Sequence, residues 1–278
     1  MLFLCATPIG NLGDMSNRIL DTLREVDLIA AEDTRNSIKL LNHFEIKTPM
    51  TSYHEYNKYD KATELIKRMQ EGADVALITD AGTPAISDPG EVLVKMCHDA
   101  GIKVTSLPGP CACITALTLS GLSTRRFVFE AFLPSDKKER REIIEELKSE
   151  SRTIIVYEAP HHLKTTLGEL LDALGNRKIT VCRELTKKFE EIMPTTLMEA
   201  VSFYNTNEPK GEYVLVIEGK SFQEKKAEKV LKWEEISIEE HMKMYEVKGL
   251  DRKEAMKAVA KDRGVSKRDI YEYLLNRS

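Results

Sequence analysis

The connection formed by residues 79–90 holds the most chemically informative residues of the chain. Its twelve residues include two glycines, two prolines and the carboxylates Asp80 and Asp88. They lie between an apolar run typical of a buried strand and a segment with helical spacing. A turn after a strand needs fewer residues, and loops at the carboxyl ends of parallel strands form the ligand sites of open α/β sheets. Because the loop contains no lysine or arginine, it favours an organic ligand, cationic ones included, over a bare polyphosphate.

Three further turn-rich segments follow predicted strands, at residues 8–14, 108–112 and 158–161. Gly10 and Gly13 allow a close backbone approach. They form neither a G-x-G-x-x-G fingerprint nor a Walker A sequence, so a dinucleotide or ATP site is not supported. Each segment by itself is typical of an ordinary turn. Four such segments at equivalent strand ends instead predict one ligand site assembled from several loops.

Strand and helix patterns alternate over most of the chain, which predicts the fold class α/β. The pattern restarts with different content after a linker at residues 121–126. We therefore predict an N-terminal α/β domain over residues 1–120, a second α/β domain over residues 121–220, and a helical extension over residues 221–278. Residues 48–60 are predicted as a loop, and no strand is predicted between residues 184 and 197.

The helical extension has a local charge pattern that differs from the rest of the chain. Capping-box spacing at Ser237 and Asp251 predicts two helix starts, and Gly249 and Gly264 predict two helix ends. Three short helices of this size resemble a helix-turn-helix unit. Residues 248–278 carry nine basic and five acidic side chains, on a chain whose formal net charge is -4. Such a tail is typical both of contact with phosphate backbones and of a solvated helical cap, and its charge leaves both open.

Composition argues against several other classes of protein. The chain has 278 residues and no apolar run that approaches the roughly 20 residues of a membrane span. Its apolar N-terminus is predicted as a first strand rather than a signal peptide. The five cysteines are odd in number and scattered, so we predict reduced thiols in a cytoplasmic protein rather than a disulfide framework. Cys111 and Cys113 have no second cysteine pair or histidine nearby, which argues against a metal site.

Seven motifs lie in order along the chain, at residues 7–14, 31–35, 80–90, 108–110, 158–161, 183–187 and 210–212. Together they resemble the ribosomal RNA methyltransferases of the tetrapyrrole methylase superfamily, the class III methyltransferases. The resemblance implies two α/β domains with a cofactor cleft between them, S-adenosyl-methionine as the cofactor, and a homodimer. It also implies methylation of the ribose 2'-hydroxyl of a cytidine in the decoding region of small-subunit rRNA. The tail resembles the helix-turn-helix extension of this family.

By position in these motifs, the resemblance assigns eleven residues to the cofactor. Cys111 and Ala159 stand where serine is expected in many members of the family, so a hydroxyl hydrogen bond is absent at both positions. Gly82, Thr83 and Pro84 take the place of the superfamily's Gly-Asp-Pro. The eleven residues are Pro8, Ile9, Gly10, Gly82, Thr83, Ile86, Cys111, Ala112, Tyr157, Leu185 and Tyr213.

The implied chemistry also calls for a base and for contacts with RNA. A base can take the proton of the ribose hydroxyl, and Asp80 and Asp88 are the carboxylates nearest the predicted cofactor loop. An aspartate before proline commonly shapes a turn, so a structural role is the alternative for Asp88. Arg35 and Arg183 can hold phosphate or pair with Glu32 and Glu184 instead. The candidates for rRNA contact are Arg35, Arg183, Lys187, Lys267 and Arg268.

Two other functions stay open from the sequence. Methylation of a tetrapyrrole, such as a corrin precursor, fits the superfamily. Three features favour an RNA substrate instead: the sequence Gly82-Thr83-Pro84 in place of Gly-Asp-Pro, residues 32–35, and the helical tail. A ribosome-associated or RNA-binding protein without catalysis fits the helical tail alone. Neither a membrane partner nor a metal is expected.

Overall fold

The computed structural model describes residues 1–221, 223–224, 233 and 236–275. The chain divides into two compact units, Met1–Lys148 with Arg152–Glu218, and Ser149–Ser151 with Gly219–Ser278. The first unit contains both predicted α/β domains, and the boundary between residues 120 and 121 stays a prediction. In the described part of the chain, no helix is long and apolar enough to cross a membrane.

A parallel sheet forms the N-terminal part of the first unit. Its strands are β1 (Leu2–Cys5), β2 (Leu28–Ala31), β3 (Met50–Ser52), β4 (Val75–Ile78) and β5 (Val104–Leu107). They pair in the order β3-β2-β4-β1-β5, and every pair is parallel. The helices that follow them are α1 (Asn17–Glu25), α2 (Thr34–His43), α3 (Lys58–Gln70), α4 (Gly90–Asp99) and α5 (Ala112–Leu119). Ser16 caps α1 by accepting a hydrogen bond from the Ile19 N–H, as the sequence predicts.

Alternate strand residues of this sheet enter two separate apolar clusters. On one face, Ile29 and Ile78 pack with residues of α1 and α2. On the other face, Leu28 and Leu77 pack with residues of α3 and α4. Every residue of β2 and β4 is buried, which explains their uninterrupted apolar sequences, since a parallel sheet is covered on both faces.

The carboxyl ends of β1 and β4 lie side by side because these strands are parallel neighbours. The chain after β1 continues this pairing with the loop after β4. The Thr7 N–H donates to the Gly82 carbonyl at 2.9 Å, and the Gly82 N–H donates to the Thr7 carbonyl at 3.1 Å. The loop of residues 79–90 is thus fixed beside the N-terminal glycine motif, as its position after a strand predicts.

A mixed sheet forms the rest of the first unit. Its strands are β6 (Phe127–Phe132), β7 (Thr153–Glu158), β8 (Lys178–Arg183), β9 (Glu191–Thr196) and β10 (Tyr213–Ile217). Their order is β6-β7-β10-β8-β9; the β6–β7 pair is parallel and the other pairs are antiparallel. Tyr213 pairs with both Glu158 and Arg183, so the ends of β7 and β8 meet the start of β10 at one edge.

One face of the mixed sheet is covered by helices and the other faces α5. The helices α6 (Lys137–Leu147), α7 (Pro160–Leu174) and α8 (Leu197–Thr206) pack on the first face. On the second face, Ile155 and Val214 pack with Ile9 and with Ala116 of α5. This shared cluster connects the two sheets within one unit.

Two edge strands were not predicted. β3 lies in the predicted loop of residues 48–60, and β9 lies between residues 184 and 197, where no strand was expected. Both are at sheet edges, and none of the residues of β3 is fully buried. Pro194 is tolerated in β9 because an edge residue can lack an N–H for pairing. The sequences of these two strands, Met-Thr-Ser in β3 and Glu-Ile-Met-Pro-Thr-Thr in β9, have no clear apolar pattern, so pattern reading misses them.

The second unit contains α9 (Ile238–Val247), α10 (Arg252–Arg263) and α11 (Lys267–Leu275). The capping boxes predicted at Ser237 and Asp251 are both present, and Gly264 ends α10 in the left-handed region, with a φ of 66°. Its core consists of Met242, Ala255, Val259, Ala260 and Ile270. Arg277, one of the nine basic residues counted in the sequence, lies outside the described residues.

Candidate active site

A cavity of about 500 Å³ opens between the parallel sheet and the mixed sheet of the first unit. Pockets for organic ligands have volumes of this order. Nine of the eleven predicted cofactor residues line it, so the tertiary structure brings together segments far apart in sequence. These nine are Ile9, Gly82, Thr83, Ile86, Cys111, Ala112, Tyr157, Leu185 and Tyr213. Their contact with a cofactor stays a prediction.

Pro8 and Gly10 do not line the cavity. Gly10 instead lies where the loop after β1 meets the loop after β8. A Cβ atom at Gly10 would lie 2.3 Å from the Lys187 Cγ and 2.8 Å from the Thr186 Oγ1. The missing side chain therefore allows two loops of the protein to approach each other, rather than a loop and a ligand.

Backbone strain is concentrated around the cavity. Ile86 lies between two non-glycine residues with positive φ, Leu185 lies between two more, and Phe132 follows a fifth. Such conformations persist only where the surrounding structure holds them, and they cluster at functional sites. Among the described residues, only one further case occurs elsewhere, at Glu45. The five are Ala85 (66°), Ser87 (65°), Ala131 (52°), Glu184 (51°) and Thr186 (65°).

Asp88 holds the loop of residues 79–90 in shape. Its Oδ1 accepts hydrogen bonds from the Ala85 N–H at 3.0 Å and from the Gly90 N–H at 2.7 Å. Burial raises the pKa of this carboxyl above its ordinary value, although both hydrogen bonds favour the ionised form. The geometry supports the turn-shaping role that the sequence offered as the alternative for Asp88.

Asp80 is bound more loosely and reaches the cavity. Its Oδ1 accepts from the backbone N–H of Asp33 at 3.2 Å, and its Oδ2 accepts from the Asn36 amide at 3.4 Å. Burial raises the pKa of Asp80. Beside it, the Thr79 hydroxyl donates to the Glu32 Oε2 at 2.6 Å. Of the two predicted catalytic carboxylates, Asp80 is the more exposed, and each of its oxygens accepts one longer hydrogen bond.

The charge of the cavity wall suits a cationic organic molecule. In the described chain, its lining includes five carboxylates, of Glu32, Asp80, Asp88, Glu158 and Glu212, and no lysine, arginine or histidine. Aromatic and aliphatic side chains supply much of the remaining surface. S-adenosyl-methionine carries a sulfonium charge and an adenine ring, so the residues present fit it.

Two of these carboxylates have partners behind the wall. Glu158 is buried, accepts a hydrogen bond from the Thr166 hydroxyl, and lies 4.0 Å from the Arg140 guanidinium. Glu212 pairs with Lys187 at 2.8 Å. Glu212 belongs to the motif at residues 210–212 and directly precedes Tyr213, a predicted cofactor residue. These two facts were a sequence signal for its place in the site.

Phe132 is a lining residue that sequence reasoning missed. Its ring packs edge-on against Tyr157, with 5.5 Å between the centroids, and 57% of the residue is exposed. The register of β6 shifts between Phe129 and Phe132, and this irregularity places Phe132 beside the cavity. No signal in the sequence marks such a shift, because it depends on pairing with β7.

Cys111 and Cys113 lie at the start of α5. Cys111 is the N-cap residue, and its Sγ is 3.4 Å from the Sγ of Cys113. The backbone N–H of Cys113 donates to the Tyr157 hydroxyl at 3.0 Å, which links α5 to the mixed sheet. No group of three or more metal-binding side chains occurs within the part of the chain that the structure describes.

The three candidate RNA contacts of the first unit all have acidic partners. Arg35 pairs with Asp33 at 2.7 Å rather than with Glu32, and its guanidinium holds the pKa of Asp33 at about 2. Arg183 pairs with Glu191 of β9 at 3.1 Å, not with Glu184. Lys187 pairs with Glu184 at 2.9 Å as well as with Glu212. Both arginines that the sequence placed beside Glu32 and Glu184, as the alternative to phosphate, thus pair with other carboxylates, because neither β9 nor the turn at Asp33 was foreseen.

The other two candidates lie in the second unit. Lys267 is the first residue of α11 and is partly exposed, and Arg268 pairs with Glu272 one turn later at 2.7 Å. Such exposed pairs are weak, so they leave an arginine available to a phosphate.

Comparison with known proteins identifies clear relatives. The family model "Tetrapyrrole (Corrin/Porphyrin) Methylases" matches residues 1–201. A protein of Halalkalibacterium halodurans named "Ribosomal RNA small subunit methyltransferase I" is 50% identical over 270 residues, which cover 97% of this chain and 93% of the relative. A Bacillus subtilis protein of the same name is 46% identical over 272 residues, covering 98% of this chain and 93% of the relative.

A solved structure shares the fold at much lower identity. The cobalt precorrin-4 methyltransferase of cobalamin biosynthesis superposes with a TM-score of 0.58 at 17% identity, covering 77% of this chain and 93% of that one. At this identity the likeness shows the fold alone.

Proposed function

Because this chain belongs to the tetrapyrrole (corrin/porphyrin) methylases, we propose that it methylates small-subunit ribosomal RNA, at the 2'-hydroxyl of a cytidine in the decoding region. The membership confirms a methyltransferase that uses S-adenosyl-methionine, as the sequence motifs predict. The observation that carries the RNA substrate is the similarity to the H. halodurans protein over 97% of the chain. That match includes the helical extension, beyond residue 201 where the family model ends.

The cavity residues hold the cofactor in this proposal. S-adenosyl-methionine supplies an electrophilic methyl group on a positively charged sulfur. The five carboxylates of the wall complement this charge, and the walls formed by Ile9, Tyr157 and Leu185 exclude water from the apolar parts of the ligand. Gly82 lines the cavity without a side chain, and its φ of 88° suits glycine, while its N–H and carbonyl both pair with Thr7. Much of the rate enhancement comes from holding the ribose oxygen in line with the methyl group and its sulfur.

Asp80 is the proposed base for the ribose hydroxyl. Its oxygens accept one hydrogen bond each, at 3.2 and 3.4 Å, both longer than those of Asp88. The residue is exposed at the cavity, so a substrate hydroxyl can reach it. A raised pKa makes a carboxylate a stronger base, and burial raises the pKa of Asp80. Asp88 is assigned to the shape of the loop because both of its short hydrogen bonds serve the backbone.

Basic side chains bind the RNA backbone in this proposal. Arg35, Arg183 and Lys187 serve in the first unit, and Lys267 and Arg268 serve in the second. On α10, three exposed lysines recur every fourth residue, which puts them on one face of the helix. They are Lys253, Lys257 and Lys261. The proposal also includes a homodimer and a cytoplasmic location, both of which the motif resemblance implies.

The decisive experiment is methyl transfer with labelled S-adenosyl-methionine. Small ribosomal subunits, free small-subunit rRNA and a corrin precursor are offered separately, and the labelled nucleoside is identified after digestion. We expect label on a cytidine 2'-oxygen. Label on the corrin precursor and none on RNA would establish the tetrapyrrole alternative. Cofactor binding, measured by calorimetry without RNA, tells an inactive preparation from a wrong substrate.

The lysines of α10 are tested by replacing Lys253, Lys257 and Lys261 with alanine together. If each contacts a phosphate, the slope of log binding constant against log salt becomes less steep by about 2, because each contact to single-stranded RNA contributes about 0.7. Binding is measured by filter retention at several salt concentrations.

The matched control removes three exposed lysines of the first unit, Lys67, Lys95 and Lys103. This control has the same net charge as the α10 variant. Equal slopes for the two variants would show that α10 does not contact the RNA.

A further inference from the structure

Cys111 and Cys113 bring two thiols together in the wall of the cavity. Their Sγ atoms are 3.4 Å apart. Cys111 is partly exposed and lines the cavity, whereas Cys113 is only 5% exposed. Solutes that enter the cavity therefore reach one thiol, while its neighbour stands behind it. The proposed methyl transfer uses neither thiol.

The surroundings of Cys111 favour its thiolate. Hydrogen bonding with the Cys113 thiol, 3.4 Å away, favours a thiolate at Cys111, and the backbone N–H groups of Ile114 and Cys113 add to this effect at the start of α5. These bonds lower the pKa of Cys111 to about 6. The same pairing raises the pKa of Cys113, which keeps its proton. A thiolate at a helix N-terminus is the reactive form of cysteine, and an adjacent thiol is the usual partner of an oxidised one.

We propose that Cys111 and Cys113 are a redox-sensitive thiol pair, which a hydroperoxide converts to a disulfide and which a bound cofactor shields. Oxidation of the pair requires only that the cavity be open to solutes, whereas shielding by the cofactor rests on the proposed function, with S-adenosyl-methionine in this cavity; neither part depends on the RNA substrate. The sulfurs must approach by about 1.4 Å to reach the length of a disulfide bond, near 2.05 Å. Cys111 can move because it lies outside the helix, with φ of -145° and ψ of 110°.

The chemistry takes two balanced steps. The Cys111 thiolate attacks hydrogen peroxide; an S–O bond forms, the O–O bond breaks, and Cys111 becomes a sulfenic acid. The leaving hydroxide becomes one water by taking from solvent the proton that the Cys111 thiol had released. The Cys113 sulfur then attacks the Cys111 sulfur; the S–S bond forms, the S–O bond breaks, and the leaving hydroxide takes the Cys113 proton as a second water. Two thiols lose two electrons, and one hydrogen peroxide is reduced to two waters.

The disulfide is expected to weaken cofactor binding. It draws the Cys111 sulfur away from its place in the cavity wall. It also moves Cys113, whose backbone N–H donates to the Tyr157 hydroxyl at 3.0 Å. Since Tyr157 lines the same cavity, oxidation disturbs two elements of the wall at once.

The test uses the full chain, treated with hydrogen peroxide and digested with trypsin. Residues 104–125 form one tryptic peptide that holds Cys111 and Cys113 and no other cysteine. The disulfide appears as the loss of two hydrogen atoms from this peptide. We expect its rate of formation to rise with pH through about 6, to fall when S-adenosyl-methionine is added, and to be reversed by dithiothreitol. Cys97, on another peptide, is the internal control, because burial raises its pKa to about 11.

Two variants separate the roles of the thiols. Cys113→Ala leaves a sulfenic acid at Cys111, which dimedone traps, and shifts the midpoint of Cys111 alkylation to higher pH because the thiol donor is lost. Cys111→Ser leaves Cys113 reduced. Thermal melting confirms that both variants fold. An unmodified peptide at peroxide levels that oxidise free cysteine would overturn the proposal, as would equal peroxide sensitivity of Cys113 with and without Cys111.

Discussion

Replacement of Asp88 by alanine tests the separation of a loop-shaping carboxylate from a catalytic one. The variant removes the acceptor of two hydrogen bonds, at 3.0 and 2.7 Å. A hydrogen bond to a charged group contributes about 1.5–3 kcal/mol, and partial solvent access at this site favours the low end. The loss for the two bonds is then about 3 kcal/mol, and it falls on a loop that holds Ala85 and Ser87 at positive φ.

A loop released from this shape must be ordered again when the cofactor binds. If ordering the loop again takes about 2 kcal/mol of the free energy of cofactor binding, the dissociation constant for S-adenosyl-methionine rises roughly 30-fold. Calorimetry of cofactor binding to Asp88→Ala measures this directly. Asp88→Asn keeps one acceptor oxygen, so its effect is expected to be smaller.

Asp80→Asn is the matched control, because it changes an aspartate of the same loop without touching those hydrogen bonds. Loss of a general base lowers kcat by about 10²- to 10⁴-fold. The affinity for the cofactor is expected to fall less than in Asp88→Ala, because Asp80→Asn removes one of five wall carboxylates but leaves the hydrogen bonds that shape the loop. The assignment of roles is wrong if Asp88→Ala binds the cofactor normally, or if Asp80→Asn weakens cofactor binding as much as Asp88→Ala does.

Two further predictions concern packing and pH. Gly10→Ala places a Cβ 2.3 Å from the Lys187 Cγ and is expected to cost about 1–3 kcal/mol of stability by overpacking. In the control Gly168→Ala the Cβ meets nothing within 4 Å, so chemical denaturation should show no loss there. Burial and the Arg263 guanidinium lower the pKa of His241, so folding favours its neutral form. The contribution of His241 to the stability of the helical unit is therefore fully present above about pH 6.5 and decreases as the pH falls through its lowered pKa. Trp233, whose ring centroid lies 3.8 Å from that of His241, reports unfolding by fluorescence, and a flat pH profile would contradict the prediction.

Much of the candidate site was foreseeable from single segments of sequence. The length of the loop of residues 79–90, with its glycines, prolines and carboxylates, predicted a ligand site there. The strands before these loops were readable because parallel strands buried on both faces are apolar throughout. Local signals of this kind also placed the caps at Ser16, Ser237 and Asp251, since a cap depends on residues only three apart.

Other features depended on partners distant in sequence. Phe132 reaches the cavity through a shift in register against β7, and Arg183 finds Glu191 on an edge strand that has no clear apolar pattern. Gly10 was expected to approach a ligand, but it approaches Lys187 of another loop. Each of these outcomes is a contact between segments that no local pattern connects.

The sequence by itself determined the α/β class, the family, the cofactor and most of the loops that form the cavity, because these follow from local periodicity and from motifs in order. Only the tertiary structure decided which hydrogen bonds each carboxylate accepts. Asp80 and Asp88 are chemically alike and eight residues apart, and their difference lies in the backbone N–H groups that surround each one. Hydrogen-bond geometry is set by the folded backbone, so it separates two residues that composition and spacing leave equivalent.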